Sequence, residues 1–406
     1  QPKAKKIHRR GAEDAEKEKR KGLEQSGAIA NCARDAKERS VETRMSTAPI
    51  VRTIERLAII CPSWVGDAVM ATPLLRAVRA ALPGARIIGA MRGGLDELLA
   101  GTPWLDETVV EQTKALLGPL RIARRLGAHQ PQAALVLPNS FRSALIARLS
   151  GAARRIGYKR DGRGVLLTDA LAPGRRTLPV SMVEYYAALG EFALGLERID
   201  RRMELAVTQA QREAGERLLQ GVERPFVLIN PGANKAKKRW PADRFAAVAD
   251  ALAKSHSLAV AATGSPGDRE VVAAMVTAAR CTVHNLVDRG ISLGSLKAVI
   301  QEASLLITND TGPRHIAAAL GTPVVTLFGP TDWRWTAIDC PHERMVLGDP
   351  FLPEPLIADE HPRRCAIEKI MVGDVLAAAA ALLAVAGAKD PPGPPAAAAP
   401  RPSAAS

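Results

Sequence analysis

The chain contains 406 residues, of which 47% are hydrophobic and only 3% are aromatic. This length can bury two sizeable cores, and the scarcity of aromatic side chains disfavours an aromatic-rich β-sandwich or a surface on which nucleic-acid bases stack. The net charge of +14 fits a partner that carries phosphate, either a nucleic acid or a smaller phosphorylated molecule, and charge alone does not choose between them.

The two ends of the chain are predicted to lie outside the folded region. Residues 1–49 form a charged segment without the apolar core of a secretory signal, which predicts a disordered basic tail on a cytoplasmic protein. Because Met45 lies shortly before the first predicted strand, we expect residues 1–44 to precede the true start of translation. Residues 389–406 are rich in Pro and Ala and predict a second disordered tail. The apolar run at 375–388 is shorter than the roughly 20 residues of a membrane-spanning helix, so it predicts a packed helix and no transmembrane segment.

The cysteines are scattered and predict neither a zinc site nor disulfide bonds. No pair has the spacing C-x-x-C, so we expect a reduced protein that needs no metal and no cofactor. The loop at residues 66–72 lacks the pattern G-x-G-x-x-G, which disfavours a dinucleotide-dependent activity. The five cysteines are Cys32, Cys61, Cys281, Cys340 and Cys365.

In the N-terminal half, apolar runs alternate with helical patterns. The continuous apolar run at 57–61 predicts a buried parallel strand, and a short loop connects it to a helical pattern. Further strands are predicted at 86–90 and 134–137, with a helix from about residue 95. Since strands that alternate with helices form a parallel sheet, we predict an α/β, doubly wound, Rossmann-like domain at residues 50–205.

The C-terminal half repeats this pattern. Strands are predicted at 226–230, 258–262, 305–308 and 324–328, and each ends at a cluster of small or polar residues. Ligands of open α/β sheets bind outside the carboxyl ends of the strands, so these clusters are expected to line one crevice. We predict a second Rossmann-like domain at residues 206–388.

Two loops of the C-terminal half are suited to an anionic ligand. Residues 309–315 (Asn-Asp-Thr-Gly-Pro-Arg-His) join a predicted strand to a helix, whose first N–H groups would bind a diphosphate. The same residue types are common at any helix start, where they cap the backbone. Residues 235–241 (Lys-Ala-Lys-Lys-Arg-Trp-Pro) contain four cations that either neutralise a diphosphate without a metal or form an ordinary solvated surface.

A third candidate is Asp67, in the loop between the first predicted strand and its helix. A carboxylate at this position would face the cleft between the two domains and take a proton from an acceptor hydroxyl. An Asp in the first turn of a helix also stabilises the helix dipole, and by spacing alone this second interpretation is favoured.

Five segments of the chain, taken together, resemble the lipopolysaccharide heptosyltransferases of glycosyltransferase family 9, and those of type II in particular. They occur in that family's order, and the resemblance covers about residues 55–385. The Pro-Asn-Ser-Phe sequence at 138–141 is the feature that favours type II. The segments are 62–67 (Pro-Ser-Trp-Val-Gly-Asp), 137–144 (Leu-Pro-Asn-Ser-Phe-Arg-Ser-Ala), 231–233 (Pro-Gly-Ala), 238–241 (Lys-Arg-Trp-Pro) and 308–312 (Thr-Asn-Asp-Thr-Gly).

This resemblance implies the GT-B fold, in which two Rossmann-like domains face a cleft, and an enzyme that transfers heptose with inversion and without a metal. The donor would be ADP-L-glycero-β-D-manno-heptose, bound by the C-terminal domain. The acceptor would be the heptose/Kdo-lipid A inner core of lipopolysaccharide, bound by the N-terminal domain. Such an enzyme would act as a monomer in the cytoplasm, peripheral to the inner face of the inner membrane, with no nucleic acid as partner.

The resemblance also implies roles for individual residues. Asp67 would be the general base, Lys238 would hold the diphosphate, Asp310 would bind heptose hydroxyls, and Asp268 is similar in position to an acidic residue that contacts the adenosine ribose. The donor-binding set as a whole is Lys238, Asp310, Thr311, Gly312, Asp268 and His315. The acceptor-binding set is Asn139, Ser140 and Arg142.

Two departures from the family pattern leave the exact nucleotide sugar open. The loop at 234–237 is more basic and lacks a glycine, and Pro313-Arg314 replaces a commonly apolar pair. Arg314 would either add a phosphate contact or point to solvent. The alternatives are a GT-B enzyme with another donor or acceptor, a basic nucleic-acid-binding protein, and an inactive homologue that acts as a scaffold. Few aromatic residues disfavour the second, and the presence of Asp67, Lys238 and Asp310 disfavours the third.

Overall fold

The computed structural model of the protein describes residues 54–111, 117–174 and 178–386. The predicted terminal tails, with Cys32 and the expected start of translation, lie outside these residues. All the helices and strands named below belong to one compact unit.

The N-terminal half forms one parallel sheet with helices between its strands. The strands are β1 Arg56–Ile60, β2 Arg86–Arg92, β3 Glu107–Glu111, β4 Ala133–Val136, β5 Arg154–Tyr158 and β6 Asp169–Leu171. The helices are α1 Val65–Met70, α2 Thr72–Ala81, α3 Leu95–Leu99, α4 Gly118–Gly127, α5 Phe141–Leu149 and α6 Met182–Leu194. The strand order is β3-β2-β1-β4-β5-β6, and every neighbouring pair is parallel, as in a doubly wound fold.

The C-terminal half forms a second sheet of the same kind. Its strands are β7 Phe226–Asn230, β8 Ala259–Ala262, β9 Val283–Asn285, β10 Leu305–Asn309, β11 Val324–Phe328 and β12 Glu343–Leu347. Its helices are α7 Gln209–Leu218, α8 Ala242–His256, α9 Arg269–Ala278, α10 Leu293–Glu302, α11 Gly312–Leu320 and α12 Val372–Ala386. The order is β12-β11-β10-β7-β8-β9, again with parallel pairs.

The central strands are buried over their whole length, which explains why they could be predicted. Every residue of β7, β10 and β11 is buried, as expected for a parallel sheet that helices cover on both faces. The strands predicted at 226–230 and 324–328 have the same bounds in the structure, and the other predicted strands differ by one or two residues at their ends. These predictions are confirmed.

The C-terminal apolar run forms the packed helix α12. Val375, Ala379 and Leu382 are buried in the core of the second sheet, and they lie on one face because they are spaced by three or four residues. The predicted packed helix is therefore confirmed within the described residues. Across residues 54–111, 117–174 and 178–386, no helix has the length and apolar character needed to cross a membrane.

Buried polar contacts join the two halves beside α10. Nζ of Lys297, whose side chain is fully buried, donates to the carbonyl oxygens of Leu98, Ala100 and Ala206 at 2.8, 3.0 and 2.7 Å. These carbonyls replace the water that a buried ammonium group loses. The side chain of Lys297 thus packs against the backbone of the other half. The domain boundary expected between residues 205 and 206 stays a prediction.

Candidate active site

Asp67 lies in the first turn of α1, directly after the loop that leaves β1. The hydroxyl of Tyr186, on α6, donates a hydrogen bond to its Oδ1 at 3.3 Å. Burial raises the pKa of Asp67 above its ordinary value, the hydrogen bond from Tyr186 acts in the opposite direction, and the negative charge of Asp310 raises the pKa further. A carboxylate in this environment is a stronger proton acceptor than one in water.

Two glycines let α1 approach α11 closely. A Cβ atom on Gly66 would lie 2.8 Å from Cδ2 of His315, and a Cβ atom on Gly312 would lie 2.8 Å from Cγ1 of Val65. Both distances are shorter than van der Waals contact, so a larger residue would force its neighbour to move. The glycines thus bring the first turn of α1 against the first turn of α11, which is a second contact between the two halves besides the one at α10.

The N-terminus of α11 is held by a cluster of amide and hydroxyl groups. Nδ2 of Asn230 donates to the hydroxyls of Thr308 and Thr311 at 3.0 and 3.1 Å. Thr311 is the N-cap residue, and its hydroxyl lies 3.2 Å from the carbonyl oxygen of Asn309. The first N–H groups of a helix, together with the helix dipole, attract an anion such as a phosphate group.

Asp310, which follows β10, lies between two cations. Nζ of Lys238 is 2.7 Å from its Oδ2, and Nη1 of Arg314 is 3.4 Å from its Oδ1. Burial alone would raise the pKa of Asp310, but the positive charges of Lys238 and Arg314 outweigh burial, and the pKa lies below its ordinary value. Asp310 is therefore an anion at neutral pH.

Arg314 is fully buried, so the expectation that it points to solvent is wrong, and the alternative, a phosphate contact, stays a prediction. Its Nε and Nη2 donate to the two carboxylate oxygens of Glu343 at 2.6 and 3.0 Å. Its guanidinium group also lies 4.8 Å from the centre of the Phe328 ring. The side chain turns into the protein because β12 and β11 supply an acidic partner and an aromatic face.

The basic loop after β7 contributes one cation to the cluster around Asp310. Lys238 turns inward and is 18% exposed, whereas Lys235 and Lys237 are exposed to solvent. Nε of Arg239 donates to the carbonyl oxygen of Ala233 at 2.9 Å. The charge run is thus part solvated surface and part site, which the sequence alone did not separate.

Asp268 lies against the loop that follows β7. A Cβ atom on Gly232 would overlap its carboxyl group, so the glycine leaves the space that this side chain fills. The carboxylate accepts hydrogen bonds from the backbone N–H and the hydroxyl of Ser265, at 3.0 and 2.5 Å. These bonds fix the side chain at the carboxyl end of β8, and its role with a ribose stays a prediction.

The predicted acceptor residues follow β4, in the same half as Asp67. Ser140 is the N-cap of α5 and accepts a hydrogen bond from the backbone N–H of Ser143 at 3.2 Å. Arg142 pairs with Glu111, and 43% of its side chain is exposed. Ser140 therefore has a structural task, and Arg142 is accessible to a ligand.

The three tyrosines of the chain form one cluster that sequence reasoning missed. The rings of Tyr158 and Tyr185 stack with their centres 3.9 Å apart, and Tyr185 contacts Tyr186 edge to face at 5.9 Å. The hydroxyl of Tyr185 donates to Oδ1 of Asn139 at 2.8 Å, and that of Tyr186 donates to Asp67. A Tyr-Tyr pair in a sequence so poor in aromatic residues is the signal that could have found them.

His315 is buried at the contact between α1 and α11. Burial and the charge of Arg314 lower the pKa of His315 to about 3, so the ring is neutral at ordinary pH. Its Nδ1 has no hydrogen-bond partner among the described residues. A neutral imidazole adds no positive charge to the predicted diphosphate site. Within the described part of the chain, no three His, Cys, Asp or Glu side chains are grouped as metal ligands.

The sequence matches the family model of glycosyltransferase family 9 (heptosyltransferase) over residues 119–347, which is more than half of the chain. The chain belongs to this family. Lipopolysaccharide heptosyltransferase 2 of Salmonella typhimurium is 33% identical over 295 residues, which are 68% of this chain and 83% of that protein. Lipooligosaccharide heptosyltransferase 2 of Haemophilus influenzae is 31% identical over 298 residues, which are 69% of this chain and 85% of that protein.

A solved structure of the family has the same architecture. The Escherichia coli ADP-heptose lipopolysaccharide heptosyltransferase II superposes with a TM-score of 0.70 and 27% sequence identity, over 81% of this chain and 99% of that one. The predicted GT-B fold is confirmed, and the protein is a glycosyltransferase of the heptosyltransferase family. The roles of the individual site residues stay predictions.

Proposed function

We propose that the protein transfers heptose from ADP-L-glycero-β-D-manno-heptose to the heptose/Kdo-lipid A inner core of lipopolysaccharide, with inversion and without a metal ion. The observation that carries this proposal is the arrangement of two carboxylates at the contact between the halves. Asp67 has a raised pKa, whereas Asp310 has a lowered one and lies beside Lys238 and the N-terminus of α11. Relatives that are named heptosyltransferase 2 support the choice of heptose.

Asp67 is the proposed general base. Its carboxylate removes the proton of the acceptor hydroxyl while that oxygen attacks the anomeric carbon of heptose, and the bond from that carbon to the diphosphate breaks. The proton ends on Asp67, and negative charge grows on the leaving ADP. A single displacement of this kind inverts the anomeric centre. Positioned general bases typically contribute 10²- to 10⁴-fold to a rate, on the order of 3 to 5 kcal/mol.

Lys238, Thr311 and Gly312 form the proposed diphosphate site. An ammonium group has three N–H donors, so Lys238 can keep its 2.7 Å contact with Asp310 and still donate to a phosphate oxygen. The N-terminus of α11 supplies further positive potential at the same place. Because charge on the diphosphate grows towards the transition state, both groups stabilise that state more than the bound donor.

The remaining assignments complete the substrate sites. Asp310 binds heptose hydroxyls, because an anionic carboxylate accepts the hydrogen bonds that they donate. Asp268 binds the adenosine ribose. Asn139, Ser140 and Arg142 bind the acceptor on the half that carries Asp67. Arg142 is suited to an anionic sugar or phosphate of the inner core because its guanidinium group is partly exposed.

A direct test is an assay of ADP release by the purified full chain with ADP-heptose and a heptose-primed lipid A core. We expect release that requires the acceptor and disappears in Asp67→Ala. A folded protein that releases no ADP here, yet binds another nucleotide sugar, would overturn the heptose assignment and leave the family and the fold intact. Release by Asp67→Ala at the wild-type rate would remove Asp67 as the base.

We also propose that the protein acts as a monomer on the inner face of the inner membrane. Its net charge of +14 favours an anionic lipid surface. Co-sedimentation with vesicles that contain phosphatidylglycerol should be strong at low salt and weak at high salt. Protein that remains in the supernatant at both salt concentrations would contradict peripheral binding. A dimer in analytical ultracentrifugation would contradict the proposed monomer.

A further inference from the structure

The buried side chain of Arg314 makes hydrogen bonds with all three of its nitrogen atoms. Two of these nitrogen atoms, Nε and Nη2, donate to the carboxylate of Glu343 at 2.6 and 3.0 Å. The third, Nη1, donates to the hydroxyl of Thr336 at 3.0 Å and lies 3.4 Å from Oδ1 of Asp310. The Glu343 pair thus leaves Nη1 for Thr336, whose carbonyl oxygen also accepts from it at 2.9 Å, and for Asp310.

The hydroxyl of Thr336 completes a chain of hydrogen bonds from Arg314 to Asp310. It accepts from Nη1 of Arg314 and donates to Oδ1 of Asp310 at 3.2 Å. Oδ2 of Asp310 is left to Lys238, at 2.7 Å. Each oxygen of the carboxylate therefore has its own cationic neighbour, one fully buried and one 18% exposed.

We propose that Arg314, oriented by Glu343, is a positioning residue of the diphosphate site: it is the permanent counter-ion of Asp310 and leaves Lys238 free to share its charge with the donor. This inference rests on the proposed role of Lys238 with the diphosphate. In this proposal Arg314 acts on the donor through Asp310 and Lys238, because its own side chain is fully buried.

The physical reason is the cost of a buried, unpaired carboxylate. Asp310 is 8% exposed, so an ion pair with Lys238 alone would hold that lysine tightly. Asp310 and the diphosphate would then share the charge of one cation, so each would be stabilised less than with a cation of its own. With Arg314 beside the other oxygen, the carboxylate keeps a counter-ion while Nζ of Lys238 donates a hydrogen bond to a phosphate oxygen.

The test is ADP binding to the full chain, measured by isothermal titration calorimetry at one pH. The double variant Arg314→Met/Glu343→Gln removes the buried pair as a unit, so no unpaired charge is left at β12. We expect it to bind ADP about tenfold more weakly than the wild type, because Lys238 becomes the only counter-ion of Asp310. Arg314→Lys, which keeps the charge, should recover most of this affinity.

The Asp310→Asn background separates positioning from a structural effect. Without the carboxylate, Lys238 no longer needs to be released, so the same double substitution should change ADP affinity by less than about twofold. An equal loss in both backgrounds would show damage to the site and overturn the proposal. The partly exposed pair Arg154–Asp169, between β5 and β6, is a control in the other half: Arg154→Met/Asp169→Asn should leave ADP affinity unchanged.

A milder variant keeps the proposal testable if the double variant fails to fold. Thr336→Val keeps the side-chain shape and removes the hydroxyl that links Arg314 to Asp310. We expect ADP binding about threefold weaker, with no loss in the Asp310→Asn background. Unchanged binding in Thr336→Val would overturn the proposal.

If the wild type itself does not bind ADP, the proposed function fails. If it binds ADP and loses affinity in Lys238→Met but not in the Arg314 variants, only this inference fails.

Discussion

Two aspartates occupy equivalent places in the two halves and have opposite electrostatic environments. Asp67 and Asp310 each follow a buried parallel strand, β1 and β10, at the start of a helix. Asp67 has a neutral partner, Tyr186, and its pKa is raised by burial. Asp310 is more deeply buried, yet Lys238 and Arg314 hold its pKa below the ordinary value. Burial acts on both in the same direction, and the neighbouring charges decide the outcome.

In the proposed mechanism, this difference gives the two carboxylates different chemical tasks. A carboxylate with a raised pKa accepts a proton readily, whereas one with a lowered pKa stays ionised and is a fixed hydrogen-bond acceptor. The position of each residue after a strand does not distinguish them, since ligands of open α/β sheets bind at the carboxyl ends of strands in general. The charged neighbours do, and they come from distant parts of the chain.

The largest expected effect comes from Asp67→Asn. Removal of the base should lower kcat by about 10²- to 10⁴-fold, while ADP binding does not weaken. Asp310→Asn should instead act mainly through the KM for the donor, because its proposed contacts are with the sugar. Steady-state kinetics with both substrates varied, together with ADP titration, separates the two patterns. Equal losses of kcat in the two variants, with unchanged KM, would mean that the two carboxylates share one task.

Lys238→Met should have the next largest effect, in both kcat and donor KM. The variant removes a charge that the donor needs in the ground state and more strongly in the transition state, so we expect kcat/KM to fall by about 10²- to 10³-fold. Lys237→Met, next to it in the sequence but exposed, is the matched control and should change kcat/KM by less than about twofold. A similar loss in both variants would assign the effect to the net charge of the loop.

Gly66→Ala tests whether catalysis requires the close contact between α1, which carries Asp67, and α11, which follows Asp310. Its Cβ would lie 2.8 Å from the His315 ring, so α1 and α11 should move apart by a fraction of an ångström. A displacement of this size can cost up to about 10²-fold in kcat, and we expect about tenfold. Gly84→Ala, where a Cβ meets nothing within 4 Å, should leave kcat unchanged. Equal kcat in both variants would show that the closeness of the helices does not matter to the chemistry.

The sequence predicted the sheets well because their signal is local. Continuous apolar runs and the polar residues that end them lie within a few positions of each other, so the strands and the strand-end loops could be found directly. The pairing of the site residues is not local. Asp67 is 119 positions from Tyr186, and Arg314 is 29 positions from Glu343.

The expectation that Arg314 points to solvent was wrong for this reason. Next to a glycine and a proline at a helix start, an arginine suggests a phosphate contact or a solvated side chain, and nothing nearby in the sequence reveals the acidic partner on β12. The roles of Asp67, Lys238 and Asp310 came from the family resemblance rather than from spacing. The charges of these residues are evident from the sequence, but the directions in which the pKa values of Asp67 and Asp310 shift depend on neighbours that only the fold brings close.

The smallest effect is expected for Tyr186→Phe, and it concerns pH. The hydrogen bond from Tyr186 favours the ionised form of Asp67, so its loss should raise the pKa of Asp67 further. Because a general base must be ionised, the acid limb of the profile of kcat/KM against pH should move to higher pH, by about half to one unit, with nearly wild-type activity above the limb. Asp310 stays ionised over this range and adds a constant contribution.

Tyr158→Phe is the matched control for this profile. It removes a buried hydroxyl of the same cluster that donates to the carbonyl oxygen of Tyr185 at 2.7 Å, so it should reduce stability without moving the acid limb. A limb that moves to lower pH in Tyr186→Phe would mean that the phenol destabilises the carboxylate. A limb that moves equally in both variants would assign the shift to the packing of the tyrosines. Either outcome would contradict the stabilisation of the Asp67 carboxylate by the hydrogen bond from Tyr186, and the contrast between the two aspartates would then depend on the cations around Asp310.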